Sequence, residues 1–158
     1  MSLSEILRSC PLFFELYETE IEKIGKKANV LTFQQGDFVV TDGEEGNEIY
    51  VVLEGKVSVQ KRTPDGVIEI QKLNQGDIFG EMVLVDVNKR SADIIVVSHK
   101  AYIFELDFLR IYELFRKEPK IFGLIQLNLS RLLAKRLRNS NDKIFDIQKK
   151  LKSFEEAA

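Results

Sequence analysis

The chain has 158 residues, 44% of them hydrophobic and 30% charged, a balance that supports one packed core and excludes both a disordered chain and two independent globular units. Its net charge of -2 and pI near 5.6 give no general attraction to polyanions, which argues against a nucleic-acid-binding protein. One cysteine, Cys10, and one histidine, His99, exclude an internal disulfide and a structural zinc site and point to the cytoplasm.

The segment from Met1 to Leu12 carries Glu5 and Arg8 among its apolar residues, so it reads as neither a signal peptide nor a membrane anchor. Leu3, Ile6 and Leu7, then Ile21, Ile24 and Ala28, recur at helical spacing with Pro11 between the two sets. The spacing predicts two short helices within 1–29.

From Val30 to Leu106 the texture changes to short β-rich runs: Val30 to Phe33, Phe38 to Val40, Glu48 to Leu53, Val57 to Gln60, Val67 to Leu73, Ala92 to Val97 and Ala101 to Leu106. Glycines punctuate them at 36, 43, 46, 55, 66 and 76, and Thr63-Pro64-Asp65-Gly66 is the clearest hairpin turn. Gln35-Gly36-Asp37-Phe38 and Gln75-Gly76-Asp77-Ile78 echo each other, each a Gln-Gly-Asp step followed by an apolar residue at a strand start, as equivalent corners of a jelly roll would. About eight short antiparallel strands predict a mainly β fold, an eight-stranded jelly-roll barrel over 30–106 with flanking helices.

From Asp107 to the end, 107–158, the pattern is helical again, with a break at Glu118-Pro119 because a residue before proline is steered out of the α region. In the second of these helices Leu133, Leu137, Ser140, Ile144, Ile147, Leu151 and Phe154 follow one another at alternating steps of four and three. That is a coiled-coil seam through which the chain would form a homodimer, although a helix packed on its own domain carries the same stripe. Ser140 is its polar member, suited to setting register. Lys135, Arg136, Arg138, Lys143, Lys149, Lys150 and Lys152 surround the stripe and read as a solvated face. The whole, 1–158, reads as one domain.

The chemistry concentrates between Gly76 and Ala92. Gly80 lets the backbone approach a ligand, and the amides opening a short turn over Glu81 to Val85 would face outward with partial positive charge. Arg90 offers a permanently charged, bidentate guanidinium and Ser91 a hydroxyl, which together suit a phosphate. Glu81 beside an anion makes sense if it accepts from a hydroxyl of the same ligand, as a ribose 2′-OH offers. It makes equal sense as a surface partner of Arg90 that contributes little.

Phe79-Gly80-Glu81, an apolar turn, and Arg90-Ser91-Ala92 resemble the phosphate-binding cassette of the cyclic-nucleotide-binding domain family, here 79–92. The resemblance runs over nearly the whole chain. It implies that Arg90 and the amides of Gly80 and Met82 hold the cyclic phosphate, and that Glu81 holds the ribose. Leu73-Asn74-Gln75-Gly76-Asp77 and Arg90-Ser91-Ala92 are similar to the bacterial catabolite activator subgroup. That similarity implies cAMP, with cGMP possible, and puts Ser140 and Asn141 where the subgroup's base-contacting residues sit. Val59 and Ile70 are the implied apolar walls for the base, and equally ordinary core residues. Two departures stand out: Val83 where the cassette often has alanine, and Lys89 where it often has proline.

No helix-turn-helix follows the last helix, and no kinase glycine loop, pore or catalytic triad is present in the sequence. The expectation is a stand-alone cAMP sensor, not an enzyme, with no metal, no direct DNA binding and no membrane, signalling by rearrangement of its dimer to a separate downstream protein. A nucleotide-independent scaffold, or the regulatory fragment of a larger kinase, channel or transcription factor, are the alternatives.

Overall fold

The computed structural model describes residues 3–85 and 89–157; positions 86–88 of the predicted cassette, and the two chain ends, lie outside the described residues. The N-terminal segment forms α1 (Leu3–Ser9), a 3-10 turn (Pro11–Phe13) and α2 (Glu18–Gly25). The break between the helices falls at Pro11, as its fixed φ and missing N–H require.

Among the described residues eight strands follow: β1 (Asn29–Gln34), β2 (Phe38–Val40), β3 (Glu48–Glu54), β4 (Val57–Thr63), β5 (Gly66–Leu73), β6 (Ile78–Phe79), β7 (Asp93–Val96) and β8 (Lys100–Asp107). They form two four-stranded antiparallel sheets, ordered β1-β8-β3-β6 and β2-β7-β4-β5. The jelly roll is thus two sheets, not one continuous closed ladder. The predicted hairpin closes β4 onto β5, with Thr63 paired to Gly66 across Pro64-Asp65.

The echoed sequences form matching corners. The Asp37 carboxylate accepts from the Gln34 amide at 2.7 Å, and the Asp77 carboxylate accepts from the Asn74 amide at 2.8 Å. Gly36 and Gly76 take φ of 90° and 85°, a region that favours glycine. Each corner is then tied to a neighbouring strand by a reciprocal pair, Gly36 and Asp37 with Val96, Gly76 and Asp77 with Val52.

Alternation along β3 and β8 builds two cores at once. Ile49, Val51, Leu53, Phe104 and Leu106 face the helices, whereas Tyr50, Val52, Ala101 and Ile103 face the second sheet. Both faces of these strands are covered, which is why Ile49 to Leu53 and Ala101 to Phe104 are unbroken apolar runs. The chain then enters α3 (Phe108–Lys117) and α4 (Pro119–Ala157). Asp107 caps α3 by accepting from the Leu109 amide at 2.6 Å, and Pro119 opens α4, the helix position where its missing N–H costs nothing.

Ile121, Ile125 and Leu129 bury the start of α4 against the helix-facing core, and Leu133 is half-buried on the same cluster. Beyond it Leu137, Ser140, Ile144, Ile147, Leu151 and Phe154 are exposed. The seam's first member therefore packs on its own domain and the other six do not. Among the described residues no helix is long and apolar enough to cross a membrane.

Candidate functional site

A cavity of about 410 Å³ opens between β4, β5, the segment from Phe79 to Val83, the irregular segment Lys89 to Ala92 that leads into β7, and α4. Its lining includes Gly80, Glu81, Met82, Val83, Arg90, Ser91 and Ala92, together with Val59 and Ile70. Nine residues singled out in the sequence thus come together around one space. Ser140 and Asn141 do not join them: both are exposed on α4, one turn beyond Arg136, the α4 residue that does line the cavity.

Arg90 is fixed by close fitting. Its guanidinium donates to the Glu48 carbonyl at 2.9 Å and to the Glu48 carboxylate at 3.0 Å, and lies 5.6 Å from the centre of the Tyr50 ring. Tyr50 in turn stacks on Phe79 at 5.0 Å. Two glycines make room for it: a Cβ on Gly46 would sit 2.5 Å from Arg90 Nη2, and one on Gly80 would sit 2.8 Å from Arg90 Nη1. Gly46, expected as a turn glycine, leaves the guanidinium its place, which a side chain there would make it shift from, whereas a Cβ on Gly80 would also meet the Glu48 backbone carbonyl at 2.8 Å. The Arg90 backbone is held on both sides, its amide donating to the Glu44 carbonyl and its carbonyl accepting from the Gly43 amide, each at 2.8 Å.

Gly80 adopts φ 72° and leads into a 3-10 turn over Glu81–Leu84. Amides at the start of such a turn have no partner within it, so they are available to an acceptor in the cavity. Glu81 is buried at 3% exposure. Its carboxylate accepts from Arg136, which also donates to the Ile78 carbonyl at 2.6 Å. The surface pairing of Glu81 with Arg90, left open by the sequence, is not what forms: each has its own partner, and Arg136 is not part of a solvated face. A charged group this buried needs such a partner.

Met82 is 53% exposed at the rim, whereas Val83 and Ala92 are buried. Ser91 is exposed, and its carbonyl accepts from Lys61 Nζ at 2.9 Å. Lys89 also lines the rim. Val59 is half-buried against the inter-sheet core, and Ile70 on the edge strand β5 is 48% exposed.

Next to the cassette, the buried Asp93 accepts from the Asp42 amide at 2.8 Å and from Arg62 at 2.9 Å. Burial by itself would push its carboxyl up, but the Asp42 amide and the Arg62 and Lys61 charges outweigh it and hold it below the usual carboxylate value. Burial pushes Tyr50 up to about 12, with the Glu48 charge adding to the effect, so its hydroxyl stays protonated. Nothing in the sequence marks Glu48, Tyr50, Gly46 and Arg136 for these roles, because each acts through a neighbour that only the fold supplies.

Residues 30–118 match the family model described as the cyclic nucleotide-binding domain. The chain is 29% identical over 147 residues to the CRP-like cAMP-activated global transcriptional regulator of Mycobacterium tuberculosis, covering 92% of this chain and 63% of that protein. It is 32% identical over 160 residues to the Cyclic AMP receptor protein of Thermus thermophilus, covering 96% of this chain and 66% of the relative. The chain thus spans less than two thirds of either relative's length. Among solved structures, a cyclic nucleotide-binding domain from Methylobacillus flagellatus superposes with a TM-score of 0.79 at 28% identity, over 90% of this chain and 80% of that one.

Proposed function

The chain belongs to the cyclic nucleotide-binding domain family, and from that premise we propose that it is a sensor for a purine 3′,5′-cyclic monophosphate, cAMP by preference, acting as a receptor and not as an enzyme. The observation that carries this reading is a single cavity of about 410 Å³ holding a buried carboxylate, Glu81, and an arginine, Arg90, at separate stations on its wall. Small-ligand sites fall in the range of about 300–1,000 Å³ with a few placed polar groups among apolar walls. Two relatives whose names specify cAMP support the choice of nucleotide.

The phosphate is taken by Arg90 and the Ser91 hydroxyl, with the Gly80 to Met82 backbone alongside. Arg90 keeps or exchanges its Glu48 contact as the anion arrives, and burial makes its charge count for more than it would in water. Glu81 accepts from a ribose hydroxyl. Because Arg136 on α4 already neutralises Glu81, the ribose and α4 meet at the same carboxylate. Nucleotide binding is thereby linked to the position of α4.

Val59 and Ile70 offer apolar contact to the base. Ser140 and Asn141 lie outside the cavity of their own chain, and in a homodimer built on the seam from Leu133 to Phe154 they become available to the partner's base. A ligand that favours one arrangement of that dimer over another shifts its population, which is the signal a separate downstream protein would read.

Calorimetric titration with cAMP and with cGMP tests the reading, beside Arg90→Ala. The wild-type protein is expected to bind cAMP more tightly than cGMP, and the variant to lose binding while staying folded. Absence of heat and of thermal stabilisation with either nucleotide at millimolar concentration would overturn it, since a ligand of the native state must stabilise that state.

A further inference from the structure

A second cavity, of about 480 Å³, lies on the other side of the Arg136 side chain from the first, between the N-terminal 3-10 turn, the end of β5 and the middle of α4. Among the described residues it shares only Gln71 and Arg136 with the nucleotide cavity. We propose that it is a second binding site, for a small amphiphilic anion.

Charge argues for the anion. Lys72, Arg131, Lys135 and Arg136 border the space, against a single carboxylate among the described residues, Asp77. That carboxylate already serves the Gly76 corner through the Asn74 amide. Arg136 is committed to Glu81 and Arg131 to Glu15 at 3.0 Å. Lys72 has only a long contact to Glu69, at 3.7 Å. Lys135 makes no ion pair among the described residues. Two ammonium groups are therefore available to a ligand at little cost in existing pairs.

The apolar half of the ligand follows from the floor. Pro11, Phe14, Leu73, Ile78 and Leu132 line the same space, and Phe14 is 59% exposed there. A flat or branched hydrocarbon body would remove that surface from water while its charged end meets Lys72 and Lys135.

The site is compatible with the proposed dimer. At 3.6 residues per turn, Asn128, Arg131, Lys135 and Asn139 fall on the side of α4 turned away from Leu137, Ser140 and Ile144. A second chain paired along the seam leaves this cavity open.

Naphthalene-1-sulfonate, a flat apolar monoanion whose charge does not change with pH, is the probe, titrated into the full chain and followed by amide NMR. Shifts confined to Lys72, Leu73, Asn128, Lys135 and Asn139 are expected, saturable, and retained when cAMP is added. Lys135→Glu is expected to weaken the probe about tenfold, and Lys72→Gln several-fold, as loss of a charged contact does. Both positions are exposed, so an unchanged melting temperature verifies the fold.

Shifts centred on Gly80 to Ala92, or on Leu137 to Phe154, would overturn the proposal. So would affinity unaffected by Lys135→Glu. A cAMP titration of the same sample reports on the nucleotide reading separately, so failure of one site is not mistaken for failure of the other.

Discussion

The two halves of α4 carry the same kind of apolar stripe and meet opposite fates. In the first, Ile121, Ile125 and Leu129 are buried to 2% exposure or less; in the second, Leu137, Ile144, Ile147, Leu151 and Phe154 remain 53% to 73% exposed. Periodicity states that a helix face wants cover. It does not state whether the cover is the chain's own core or another molecule. Arg136 sits at the boundary, where the helix leaves the core and crosses the cavity.

The difference is sharpest in the response to truncation. Ile125→Ala is expected to lower unfolding stability by about 2–5 kcal/mol, the range for removing a buried aliphatic side chain, as read from urea midpoints. At the boundary, Arg136→Ala would strand the Glu81 carboxylate in a buried place, at a cost on the order of 1–3 kcal/mol. Adding Glu81→Gln to that variant should recover part of the loss, because a neutral amide is cheaper to bury than an unpaired charge. A loss that the second change does not relieve would mean that Arg136 acts through its contact with the Ile78 carbonyl.

In the distal half, Ile144→Glu with Ile147→Glu should leave the stability of the dilute protein within about 0.5 kcal/mol, as exposed positions do. If the chain pairs along the seam as proposed, sedimentation shows a dimer for the wild-type protein and a monomer for the double variant. If the double variant instead unfolds as readily as Ile125→Ala, the distal half packs against its own domain and the contrast fails.

Much of this architecture was readable from residues. The strand runs, the Thr63 to Gly66 hairpin and the break before Pro119 are local features, set by glycine, proline and alternation, and they stand where the sequence puts them. The paired Gln-Gly-Asp corners were readable too, because the same three residues make the same Asp-to-amide hydrogen bond at both. The strand start that follows the second corner stands as β6, although Ile78 and Phe79 are too few to show a period, and their pairing with Val51 and Tyr50 comes from the fold alone.

At the site, the grouping of Gly80 to Val83 with Arg90 to Ala92 was legible, and both segments line one cavity, whereas the partners of their charges were not. Glu48 reaches Arg90 from 42 positions away, and Arg136 reaches Glu81 from 55. Arg136 also lies among several other basic residues on α4, so sequence alone had no means of choosing it. Only the path of α4 across the cavity does.

Covered and bare surfaces also meet within one ion pair on the barrel, where a smaller effect is expected. The Asp93 side chain is 2% exposed and that of its partner Arg62 is 58% exposed, at 2.8 Å. The folded state holds the Asp93 carboxyl below its usual value, which in an unfolded chain is about 3.9. Its contribution to stability is therefore fully present above pH about 4 and is lost as pH falls through the lower, folded value. Asp93→Asn should flatten that part of the acid limb of a stability profile and leave the rest of the curve parallel. Because Arg62 stands largely in water, added salt should weaken its attraction for Asp93, while the Asp42 amide, bonded directly to the carboxylate, is screened less. A salt series on the wild-type protein therefore separates the two supports. A small decline toward a plateau identifies the buried amide as the group that keeps Asp93 ionised, whereas complete loss assigns that role to the exposed guanidinium.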